Sequence, residues 1–256
     1  MLPTPADIAF AFTLIVLTAV FEHYWFWPRF KAGVASGAPN ARVDGYRRGI
    51  IGQWLFTVIA AGMWVGYRRP ASALRLTLPS TWHIVTGAVL VAVTLALGYY
   101  QLASVRRLAP ERRVAVRPRL GAIAFLIPHT PREHRWFLGL SLTAGFCEEF
   151  LYRGYLTWFL SPWLGAPLAM LVVVIAFGFG HAYQGRRGAI RATIAGAVMG
   201  GVVLATNWLV PAMIIHALVD ASSGTAGYLI MREREPEPER ATTEDRAPAL
   251  EEVTTS

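Results

Sequence analysis

Between Phe146 and Leu156 the chain reads FCEEFLYRGYL, which places two carboxylates and an arginine inside an otherwise apolar and aromatic run. A charge in hydrocarbon costs about 3 kcal/mol even on lenient scales, so such groups face one another or a wet cavity. On a helix, Glu149 and Arg153 lie four residues apart with the acid N-terminal to the base, the favourable order for an ion pair. Glu148 points about 100° away, toward Tyr152, and meets no cation on its own helix. Its partner must come from another element. Two later stretches offer one: Phe177 and His181 in VIAFGFGHAYQG, and His216 and Asp220 in NWLVPAMIIHALVD, each pair at helical i,i+4 spacing. A lone histidine is more often a hydrogen-bonded bundle residue. An unpaired glutamate and two histidines on three apolar stretches point instead to a polar site within a membrane.

The elements that must position these residues follow from composition. Of 256 residues, 54% are hydrophobic and 16% charged, and the mean hydropathy is +0.41, too apolar for an ordinary soluble domain of this length. A hydrocarbon core of about 30 Å needs roughly 20 apolar residues per helix. Seven stretches qualify: Ala6 to Trp27, Ile50 to Tyr67, Trp82 to Ala103, Trp136 to Leu160, Trp163 to Tyr183, Ala189 to Asn207 and Trp208 to Ile230. Backbone groups in lipid pair only within a segment, so each is expected to be helical. The fold class is therefore all-α, a polytopic membrane bundle of about seven transmembrane helices around a polar cavity. Residues 1–135 hold the first three spans and basic loops, 136–230 the core with the candidate site, and 231–256 a charged tail with eight acids and four arginines, expected to be disordered.

Charge patterning sets an expected orientation. The loops after spans one, three and five carry five (Arg29, Lys31, Arg42, Arg47, Arg48), eight (from Arg106 to Arg135) and two (Arg186, Arg187) basic residues, against only Arg68, Arg69 and Arg75 on the other side. The positive-inside rule then places the N-terminus outside and the C-terminus in the cytoplasm. The net charge of +8 is spread over these loops and does not gather on a recognition helix, which argues against nucleic-acid binding. Thr130, Pro131 and Glu133 form a capping-box sequence that starts the fourth helix ahead of the membrane. The single cysteine, Cys147, excludes an intramolecular disulfide, and no helical neighbour activates it as a nucleophile. Glu22 and His23 are read as interfacial. Gly196 and Gly200 form a GxxxG pattern assigned to packing within the bundle.

The three motifs carry a resemblance. EEFLYR, from Glu148 to Arg153, resembles the EExxxR signature of the CAAX protease and bacteriocin-processing (CPBP, or Abi) family of intramembrane endopeptidases. FxxxH at Phe177 to His181 and HxxxD at His216 to Asp220 are similar to that family's later motifs, in the same order. The resemblance spans roughly Trp136 to Ile230 and implies peptide-bond hydrolysis in the membrane, on a membrane-associated or lipidated protein or peptide. It implies that Glu148 and His181 activate water, with His216 and Asp220 polarising the carbonyl and Glu149, Arg153 and Phe177 in support. Asn is the usual residue where this chain has Asp220, and an ionised Asp only accepts hydrogen bonds. Asp220 could fix the tautomer of His216, act protonated or bind a metal. A zinc ion held by Glu148, His181 and His216 is the metallopeptidase version, and a metal-free glutamate peptidase is the other. The Arg-rich composition, with Lys31 the single lysine, suggests a bacterial plasma membrane.

Two other classes fit the same residues: an immunity or regulatory scaffold that binds a peptide or partner helix without cutting it, and a proton-coupled transporter. Convergence is the structural requirement for an enzyme. At 1.5 Å per residue, straight spans would put Glu148 about 20 Å beyond Arg135 but His181 only about 8 Å short of Arg186. A tilt or break, with Gly178, Gly180 and Pro211 as candidate positions, is needed to bring them level.

Overall fold

The computed structural model describes residues 2–232, and every regular element among them is helical. Six helical runs are long and apolar enough to cross a membrane. We label α1 Pro5–Ala35, α2 Ala41–Gly66 and α3 Thr81–Arg107. The fourth run, Pro131–Gly180, is 50 residues long, far more than one crossing requires. It reverses at Gly165, whose backbone (φ 71°, ψ 155°) is non-helical and lies between Pro162 and Pro167. Thr157 meets Met170 at 3.8 Å, and the rings of Tyr152 and Phe177 lie 5.2 Å apart, so the halves run antiparallel. They are α4 (131–164) and α5 (166–180), followed by α6 (Gly185–Thr206) and α7 (Leu209–Met231). The expected all-α bundle is present with six runs long enough to cross, and the expected fourth and fifth spans are the two halves of one of them, α5 being shorter than a crossing requires. The charged tail beyond residue 232 lies outside the described residues.

Local chemistry accounts for the ends. Thr130 and Glu133 form the reciprocal capping box with Pro131 in the first turn, which starts α4 where the sequence indicated. Asp7 and Thr4 do the same for α1. Both α1 and α4 contain π-helical stretches, Glu22–Phe26 and Glu149–Leu156, a widening often found at functional sites.

α4 and α7 are the inner helices. They touch closely because Gly145 has no side chain: a Cβ there would stand 2.6 Å from the Ala217 amide nitrogen and 2.7 Å from the Met213 carbonyl. Trp54 of α2 stacks on Phe146 of α4 with centroids 5.3 Å apart, and Gly87 of α3 receives Pro211 of α7. Pro211 therefore sits in the first turn of its helix and packs, without kinking it. Gly178 faces Thr193 and Gly200 faces Met170, so the small residues serve helix packing within the chain, as the GxxxG reading held. The outer faces of these helices display large apolar side chains, among them Leu97, Leu142, Leu171 and Ile194, the pattern of a bundle solvated by lipid. The chain is an integral membrane protein.

Candidate active site

Convergence is achieved by a short helix. α5 stops at Gly180 and a 3-10 turn, Ala182–Gln184, leads directly into α6. His181 occupies the C-cap of α5, at the level of Glu149 on the antiparallel α4. The turn is propped from α1: the Trp27 and Tyr183 rings stack at 3.5 Å, and Lys31 Nζ donates to the Tyr183 carbonyl at 2.7 Å. The helix stays regular through Gly178, and the break falls at its end, Gly180.

Around this level the seven predicted residues assemble. Glu149 is fully buried, and its Oε1 takes two partners: Arg153 Nη1 at 3.1 Å, as the i,i+4 spacing indicated, and His216 Nδ1 at 2.8 Å. An ionised carboxylate can only accept, so Nδ1 carries the proton in that contact and the Nε2 edge of His216 is turned to the remaining acids. Nε2 lies 3.9 Å from Glu148 Oε2 and 3.7 Å from Asp220 Oδ2. The tautomer of His216 is thus set by Glu149, and the suggestion that Asp220 sets it is corrected. Phe177 braces the group from three directions. Its ring lies under the Arg153 guanidinium at 4.2 Å and edge-on to His216 at 6.2 Å, and its carbonyl contacts His181 Nδ1 at 2.9 Å. A carbonyl only accepts, which leaves His181 Nε2 free as the basic nitrogen. His181 and Glu148 are near enough for their charges to interact, although no hydrogen bond joins them among the described residues. Space for Arg153 and Phe177 comes from Gly196 on α6, where a Cβ would stand 2.8 Å from Arg153 Nη2.

Two neighbours were not read from the sequence. Gln53 of α2 donates from Nε2 to Glu148 Oε1 at 2.9 Å, so the glutamate without a helical partner is held by a neutral amide. A glutamine in a 26-residue helix carries no recognisable signal. Glu22, read as interfacial, lies near enough to Glu148 for their charges to interact. With His23, Gly180 and Tyr183 it lines a cavity of about 30 Å³, room for one water.

Access is graded across the cluster. Side-chain exposure rises from 0% at Glu149 and Arg153 through 11% at His216 and 16% at Glu148 to 41% at Asp220. The dry end fixes geometry and the open end meets whatever enters. Glu148 Oε2 is buried and accepts no hydrogen bond among the described residues. Cys147 is wholly buried on the same helix and takes no part.

The donor types suit zinc, but their placement does not. Among the described residues no three His, Cys, Asp or Glu side chains are gathered as a metal-holding group. The Glu148, His181 and His216 triad is therefore not a preformed zinc site. His216 has given Nδ1 to Glu149 and holds Nε2 nearly equidistant from two acids.

Residues 130–222 match the family model described as Type II CAAX prenyl endopeptidase Rce1-like. The stretch contains all three motifs, so over those residues the chain is similar to the family that the motifs resemble. No curated protein and no solved structure matches the chain.

Proposed function

Proceeding from that family match, we propose that the chain is an intramembrane endopeptidase in which Glu148 activates water without a metal, on a membrane-associated protein or peptide. The observation that carries the reading is the split state of the Glu148 carboxylate: Oε1 is pinned by Gln53 while Oε2 is buried and has no hydrogen-bond partner among the described residues. A water placed against Oε2 would satisfy it and stand beside the His181 and His216 imidazoles.

The chemistry then balances with this chain's own groups. Water oxygen adds to the scissile carbonyl carbon as its proton passes to Glu148, and the carbonyl oxygen becomes an oxyanion. In its doubly protonated form, with Nδ1–H held by Glu149, His216 stabilises that oxyanion through Nε2–H. Glu148 returns the proton to the leaving nitrogen, and the C–N bond breaks. His181, with Nδ1–H committed to the Phe177 carbonyl, offers Nε2 to hold the water's second hydrogen. Glu149, Arg153 and Phe177 position these groups and touch no reacting atom. Arginine-rich loops favour a bacterial plasma membrane with the N-terminus outside and the C-terminus in the cytoplasm.

The test is cleavage of a membrane-peptide library by purified wild type and by Glu148→Gln in detergent, with and without chelator. Loss of cleavage in the variant and none with chelator supports the proposal. Equal activity in the two proteins would remove Glu148 as the base, and zinc-reversible inhibition by chelator would replace the metal-free route.

A further inference from the structure

The second cavity of note lies at the opposite end of the bundle from the α1–α5 prop. It is an open cavity of about 280 Å³ between the α2–α3 loop, α4 and the α6–α7 junction, and its polar lining is Ser72, Arg75, Thr157, Ser161 and Asn207, with Trp158 as an apolar wall. The volume is close to the lower limit for small-molecule pockets, about 300 Å³.

The lining is unbalanced in charge and in hydrogen-bonding role. It contains a cation and no carboxylate. Arg75 is half-buried, and no acid lies within ion-pair distance of it among the described residues. Burial without a counter-ion pulls its guanidinium below the ordinary value, although arginine stays charged throughout the physiological range. Thr157 and Ser161 have already donated their hydroxyl protons to the carbonyls of Tyr152 and Thr157. Among the described residues the Arg75, Asn207 and Ser72 side chains donate to no partner, and all three line this one space.

The backbone is committed to this arrangement. Arg75 and Asn207 both adopt the left-handed conformation, with φ of 54° and 46°, a cost for arginine that persists only where the surroundings impose it. Arg75 is held there because its carbonyl accepts from the Leu209 amide at 2.9 Å, which ties the loop to the start of α7. Trp82 and Trp163 are exposed at the same end, at 74% and 58%, as expected at the headgroup level of a bilayer.

We propose that this cavity is a binding site for a phosphate-type oxyanion, with Arg75 as its counter-ion and Asn207 and Ser72 as hydrogen-bond donors. The same group is carried by a phospholipid headgroup and by free phosphate. The site is independent of the peptidase reading and shares no residue with it.

The experiment is thermal unfolding of the purified chain in uncharged detergent. The additives are inorganic phosphate against chloride at equal ionic strength, and short-chain phosphatidylglycerol against diacylglycerol of the same chain length. Wild type should gain about 3 °C or more in Tm at tenfold excess of ligand over Kd. Arg75→Gln should lose the gain while keeping its unliganded Tm, and Asn207→Gly, which relieves the left-handed backbone, should bind more weakly without unfolding. Stabilisation by the phospholipid alone assigns the headgroup as ligand, and stabilisation by both additives assigns the phosphate itself. No shift with either phosphate-bearing additive, or an equal shift in Arg75→Gln, overturns the proposal.

Discussion

Two acids, the buried Asp7 and the partly buried Glu148, meet their surroundings in opposite ways. Asp7 is completely satisfied: Oδ1 accepts from Arg69 and from the Tyr155 hydroxyl, and Oδ2 accepts from Arg69 and from the backbone and hydroxyl of Thr4. Arg69 is itself packed against Trp64, Tyr67 and Trp158. The cluster clamps the start of α1 to the end of α2 and to α4. Around Glu148, by contrast, one oxygen each of Glu148 and Glu149 and the guanidinium nitrogens of Arg153 make no hydrogen bond of good geometry, although the ion pair keeps Arg153 in place. A closed polar network rigidifies, whereas an incomplete one keeps an unmet demand that substrate or water can fill. The contrast separates a structural cluster from the one proposed to be reactive without reference to family.

The comparison can be broken most sharply by neutralising each acid in turn. Glu148→Gln should lower turnover by about 10²- to 10⁴-fold and leave the unfolding temperature unchanged or raised, because it removes an incompletely solvated charge. Asp7→Asn should do the reverse. Stranding Arg69 in its buried site should cost about 3–5 kcal/mol of stability, read as a fall in Tm, with turnover of the folded fraction retained. If both variants lose stability equally, the distinction collapses.

Smaller changes sharpen it. Gln53→Leu should release Glu148 Oε1 and reduce kcat by about tenfold with little change in Tm, on the scale of one hydrogen bond to a charged group; steady-state kinetics on a cleaved peptide would show it. Asp220→Asn, which introduces a donor where an ionised aspartate only accepts, should raise kcat by about twofold to fivefold at unchanged KM. A large fall would mean that the charge on Asp220 is needed.

The apolar runs were legible because a helix in lipid must satisfy its own backbone, so length and composition suffice. Glu148, His181 and His216 stood out because each is expensive in such a run. The Glu149 and Arg153 pair could be read from spacing within one helix. What could not be read is register between helices. The sequence does not say that His216 leans on Glu149 more closely than on Glu148, that Gln53 from α2 reaches the site, or that Asp7 and Arg69, 62 residues apart, form a clamp. The depth mismatch between Glu148 and His181 was visible as a contradiction, and it resolves because α5 ends early, a boundary that the apolar run through Tyr183 obscured.

The reversal at Gly165 has a consequence for biosynthesis. Its hairpin joins EExxxR and FxxxH within one contiguous stretch, so that half of the cluster can form as soon as residue 181 leaves the ribosome. His216 arrives only with α7, and until then Glu149 lacks the imidazole it orients. A nascent chain that stops short of α7 therefore lacks the imidazole that joins the cluster to Glu149.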